Sequence, residues 1–157
     1  MAAVKVGNLA PVFTLSDQNG DSISLNDIRG KKNVVLYFYP NAMTPVCTVQ
    51  ACGLRDSSKQ LSDLDAVALG VSPDPVSRLT KFVQKDQLNF TLLSDEDHKV
   101  AEQYGVWGLK KFMGREFMGI LRTTFVINKD GQIIHVMDKV KTKSHHDDVL
   151  EILANAT

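Results

Sequence analysis

Apolar and polar residues alternate along the chain in blocks that set out an order of elements. Residues 11–15 and 22–25 are half-apolar runs flanking a polar stretch whose Asn19-Gly20 step favours a tight reversal, which predicts an N-terminal β-hairpin. Residues 33–39 form a continuous β-branched and aromatic run ending at Pro40, as expected of a central strand covered on both faces. Residues 66–72 repeat that pattern, and 90–93 predict a short further strand.

Between these runs the spacing becomes helical. Thr44 is a good N-cap and Pro45 suits the first helical position, so a helix is predicted through Gln50, Leu54, Ser58 and Leu61, with Cys47 as its third residue. Asp74-Pro75 repeats the signal before a helix with a stripe of Leu79, Phe82 and Val83. Residues 97–104 predict a short helix stopped by Gly105. The stretch 106–119 carries Gly108, Gly114 and Gly119 between Trp107, Phe112 and Phe117, and reads as an ordered surface loop packed by its own aromatics. Residues 123–127 and 132–136 predict a second hairpin. Ser144 to Asp147 resembles a capping box opening a last helix with Val149, Leu150, Ile152 and Leu153 inward. The expected fold is α/β, with a central mixed β-sheet flanked by helices.

Composition narrows the function. The 157 residues suit one domain spanning 1–157, large enough to bury a core without staples. Eighteen basic residues balance eighteen acidic ones with no basic run, which argues against nucleic acid as a partner. No apolar stretch of membrane-spanning length occurs and the first residues lack a signal-peptide core, so a cytoplasmic protein is expected. His145, His146, Asp147 and Asp148 are consecutive and offer no ligand spacing; a solvated helix start is the expectation, with no metal or cofactor.

The two cysteines carry the chemistry. A pair in a reducing compartment is more often catalytic, sensing or metal-binding than structural. Cys47 follows a central strand and stands in a helix's first turn, where unpaired N–H groups and the macrodipole favour a thiolate. Thr44, three residues earlier, carries a hydroxyl able to meet a bound oxygen in the same space.

The segment 37–56, Tyr-Phe-Tyr-Pro-Asn-Ala-Met-Thr-Pro-Val-Cys-Thr-Val-Gln-Ala-Cys-Gly-Leu-Arg-Asp, resembles the active-site signature of the peroxiredoxins, in the PrxQ or bacterioferritin comigratory protein group. Pro40, Thr44 and Cys47 stand in that family's Pro-x-x-x-Thr-x-x-Cys order, and similarity continues at 89–98, 104–108, 122–125 and 141–146. The resemblance implies a thioredoxin-like fold, Cys47 as the peroxidatic cysteine, Cys52 as the resolving one, and Arg122 beside Cys47, with Pro40 shielding the site. It also implies a monomer that reduces hydroperoxides through an intramolecular disulfide and is recycled by thioredoxin. Val46 stands where this group often has Gly, and Gln50 where many members have Glu. A thioredoxin-type oxidoreductase is disfavoured because no Cys-x-x-Cys is present, while a stoichiometric redox sensor would use the same two thiols. In an intact helix residues five apart lie about 8.7 Å apart at Cα, beyond the roughly 7 Å limit of a disulfide. Turnover therefore calls for unwinding around Cys47.

Overall fold

The computed structural model describes residues 4–156, so expectations resting on residues 1–3 and 157 lie outside the described residues. The N-terminal hairpin forms from β1 (Thr14–Asp17) and β2 (Ser22–Ser24), with Leu15 opposite Ile23. Asp17 closes its turn by accepting the Asn19 and Asp21 N–H groups at 2.9 and 3.0 Å, and Gly20 takes the positive φ that the reversal needs.

Among the described residues, seven strands make one mixed sheet in the order β2-β1-β5-β4-β3-β8-β9. β3 (Asn33–Phe38) is central, parallel to β4 (Ala66–Ser72) and antiparallel to β8 (Thr123–Ile127). β5 (Thr91–Ser94) runs parallel to β4, and β9 (Ile133–Met137) closes the far edge. Alternation along β3 divides the core. Val34, Leu36 and Phe38 face one side, with Phe125 and Tyr104, while Val35, Tyr37 and Tyr39 face the other. Onto that second side pack α1 (Pro45–Asp56), α2 (Ser58–Asp63), α3 (Val76–Asp86) and α5 (His145–Ala156) through Ala51, Leu54, Leu61, Leu79, Phe82, Val149 and Leu153. Burying each such Leu or Phe contributes about 1.5–3 kcal/mol.

Several expectations are corrected. The helix predicted through Leu61 breaks at Ser57, whose φ −98° and ψ 9° leave helical values; at this break Asn89 Nδ2 donates to the Arg55 carbonyl at 3.2 Å. Asp74 does not cap α3, whose first residue follows Pro75; its carboxylate is turned to the loop before α1. The short helix α4 (Lys99–Gln103) starts later than predicted, since His98 is left-handed (φ 50°) and Asp95 takes the Val100 and Ala101 N–H groups. Ser144 meets Asp148 rather than forming a capping box with Asp147.

The stretch 106–119 is not a loop. β6 (Trp107–Phe112) and β7 (Arg115–Ile120) form a separate antiparallel ribbon that turns at Met113 and Gly114, both at positive φ. Gly108 and Gly119 are cross-strand partners in it. Phe112 and Phe117 are exposed, and of the three aromatics only Trp107 packs inward, stacked at 3.8 Å on the His98 ring. No helix among the described residues is long and apolar enough to cross a membrane.

Candidate active site

Cys47 owes its position to the way β3 passes into α1. Thr44 is extended (φ −81°, ψ 152°), Pro45 opens the helix, and the buried stripe of α1 begins at Cys47 and continues at Gln50, Ala51 and Leu54. Those spacings of three and four place the sulfur on the inner face of the first turn, with the residue only 2% exposed. Free N–H groups and the helix dipole favour negative charge there.

The turn before α1 is clamped from β4 and α3. Asp74 Oδ2 accepts the Ala42 N–H at 2.7 Å and the Ser72 hydroxyl at 2.8 Å. Arg78 pairs with Asp74 at 3.2 Å and donates to the Ala42 carbonyl at 2.9 Å, so both backbone groups of Ala42 are held. This clamp supports Met43 in a left-handed conformation, which costs about 1 kcal/mol or more for such a residue. Pro40 is half-buried at the mouth of the turn. Thr44 occupies the N-cap position without the side-chain cap bond that its sequence predicts; its hydroxyl donates instead to the Asn41 carbonyl at 2.9 Å, which leaves its lone pairs as acceptors.

Arg122 comes in from the start of β8. Its Nη2 donates to Cys47 Sγ at 3.3 Å and its Nη1 to Gln50 Oε1 at 2.6 Å. One planar guanidinium thus bridges the sulfur and a fully buried amide one helical turn below it. Gln50 is neutral and so does not compete with the sulfur for that charge; its Nε2 has no hydrogen-bond partner among the described residues. Lys110, half-buried on β6, is pushed below its usual range by burial and by Arg122, while Cys47 pulls the other way. Tyr37 and Tyr39 stack beneath α1 and are held neutral by burial.

Cys52 lies on the same helix, half-buried, and both cysteines are free thiols. Burial first, then Asp86 and Asp56, push the Cys52 thiol up, against the pull of Arg55. An unbroken α1 holds the two residues five positions apart, beyond disulfide reach.

The structure therefore brings Arg122 and Cys47 together and keeps Cys52 on the same helix at a distance. Sequence reasoning missed the Asp74–Arg78 clamp, although Asp74-Pro75 was visible as a helix-start signal. It also missed the contact of Gln50 with Arg122, and it misplaced His145, which is fully buried rather than part of a solvated helix start.

Residues 6–136 match the AhpC/TSA family. Peroxiredoxin Bcp of Escherichia coli is 53% identical over 153 residues, covering 98% of this chain and 97% of that one. Among solved structures, the peroxidoxin BcpB of Mycobacterium tuberculosis is similar with a TM-score of 0.87 and 36% identity, covering 98% of this chain and 99% of the other. The bacterioferritin comigratory protein of Xanthomonas campestris, described for its alkyl peroxide reduction activity, has a TM-score of 0.86 and 31% identity over 92% of this chain and 91% of its own. These likenesses bear out the thioredoxin-like fold.

Proposed function

This chain belongs to the AhpC/TSA family, in its bacterioferritin comigratory protein group of peroxiredoxins, and from that premise we propose how its own residues carry out peroxide reduction. It is a thiol peroxidase. The Cys47 thiolate attacks one oxygen of hydrogen peroxide or an organic hydroperoxide; an S–O bond forms, the O–O bond breaks, and the leaving alkoxide or hydroxide takes up a proton. Arg122 and the first-turn N–H groups hold the negative charge as it moves from sulfur to oxygen, and the Thr44 hydroxyl positions the peroxide. Pro40 limits water at the sulfur.

The product is a sulfenic acid at Cys47. After the start of α1 unwinds, Cys52 attacks that sulfur, an S–S bond forms and water leaves. A dithiol protein of the thioredoxin type then supplies the two electrons that restore both thiols. Both reacting cysteines sit in one helix, so a single chain suffices, and we take the protein to act as a cytoplasmic monomer.

The observation that carries this reading is the 3.3 Å contact between Arg122 and Cys47, which places a permanent cation on a buried first-turn sulfur. Peroxide consumption in the presence of thioredoxin, its reductase and NADPH tests it. Multiple turnovers are expected; one equivalent consumed and no more would mark a stoichiometric sensor instead.

A further inference from the structure

His145 opens α5, yet it is fully buried on the sheet face that carries the active site. Its Nε2 is 2.8 Å from Thr124 Oγ1 on β8, two residues after Arg122. Its ring lies 5.7 Å from that of Tyr37 on β3, whose own electrostatic neighbours include Cys47, Cys52 and Arg122. The next residue, His146, presses its imidazole on Gly53, directly after Cys52, so closely that a Cβ on Gly53 would meet the ring. α5 is therefore seated on α1 at the residue directly after Cys52, the thiol that must move to reach Cys47.

The start of α5 is polar but incompletely paired. His145 Nδ1, its neighbour His146 Nδ1 and the Tyr37 Oη are buried without hydrogen-bond partners among the described residues. Whichever way the His145–Thr124 bond runs, Nδ1 is left over. A neutral ring tolerates this; an imidazolium, with a second N–H to satisfy, does not.

Resting on the reading that α1 unwinds for Cys52 to reach Cys47, we propose that His145 is a proton-operated latch on the active-site helix: neutral, it stays buried and keeps the start of α5, with His146, docked on α1 beside Cys52; protonated, it belongs to the unwound form. The groups facing it agree. Arg122 beside β8 and His146 on α5 oppose a positive charge, and Asp148 on α5 favours one but loses to burial, which brings the imidazole down to about 4. Tyr37 on β3, whose ring lies beside the imidazole, and Thr124 on β8 bring no positive charge to it. In the unwound form water reaches the ring, which returns to its ordinary value of about 6.5.

The sign follows from proton counting. Above about pH 6.5 the ring is neutral in both forms, and the latch is fully engaged. As pH falls toward 4 only the unwound form takes up the proton, so the packed form loses ground. Between pH 7.5 and 5.5 the unwound-to-packed ratio rises about tenfold. In redox terms, reducing the disulfide takes up two electrons and two protons for the thiols, and between these limits it also releases up to one proton from His145.

The test is an NMR titration of the four histidines in the reduced protein and in the peroxide-generated disulfide form. His145 is assigned by His145→Gln or, if that variant does not fold, by its through-space contacts with Tyr37 and Thr124. A midpoint below pH 5 in the reduced form and near 6.5 in the disulfide form is expected. The same midpoint in both forms, or a shift confined to His146, overturns the latch while the disulfide itself leaves the peroxidase reading standing. If no intramolecular disulfide forms, both fall.

Discussion

Arg122 Nη2 donates to Cys47 Sγ across 3.3 Å, although the two residues are 75 positions apart in the chain. The contact joins the first turn of α1 to the start of β8 and puts a charge that cannot be titrated away beside the reacting sulfur. Arg122→Ala is expected to leave the fold intact and slow the peroxide step by about 10²–10³-fold, the usual cost of losing one preorganised donor to a developing charge. Arg122→Lys restores only part of the rate, because a lysine cannot bridge Cys47 and Gln50 in one plane. Stopped-flow oxidation of the reduced protein measures both.

The Asp74 carboxylate holds the backbone that aims Cys47. In Asp74→Ala the Ala42 N–H and the Ser72 hydroxyl lose a buried acceptor, and Arg78 loses its ion-pair partner and keeps only the Ala42 carbonyl. Stability falls by about 1–3 kcal/mol, read from urea unfolding of the reduced protein. The peroxide rate falls as well, since Met43 and Thr44 are no longer held in the turn.

Gly53 is needed for contact rather than for backbone conformation, as a Cβ there would meet the His146 ring, with Cγ at 3.0 Å. Gly53→Ala gains about 1 kcal/mol in helix propensity and loses about 1–3 kcal/mol to overpacking. Net destabilisation is expected. Adding His146→Ala should recover much of it, giving a favourable coupling in a double-mutant cycle measured by urea unfolding.

The sequence disclosed whatever depended on local pattern. β3 was legible because apolar residues run unbroken on both its faces, and the first turn of α1 because Thr44-Pro45 is a local signal. The ribbon β6–β7 was not. Its strands carry Lys110-Lys111 and Arg115-Glu116 where a half-buried strand would be apolar, its turn uses Met113 where Asn is usual, and strand preference depends on context. Arg122 became a site residue only through a motif resemblance, since no periodicity links it to Cys47. His145 was misread because consecutive charged and polar residues look solvated, and only the docking of α5 on α1 and the sheet buries it.

Cys52 separates the two half-reactions. Cys52→Ser is expected to react with the first equivalent of peroxide at the wild-type rate and stall as a Cys47 sulfenic acid, which excess peroxide carries to the sulfinic form. Normal turnover of this variant with thioredoxin as the only reductant would remove Cys52 from the cycle.

The most direct measurement is the mass of the wild-type protein and its non-reduced peptides after one equivalent of peroxide. The account predicts a monomer lighter by two hydrogens, with the peptide containing Cys47 joined to the one containing Cys52 once the chain is cleaved between them. A dimer linked through Cys47, or a monomer that gains oxygen and forms no internal bond, would contradict it.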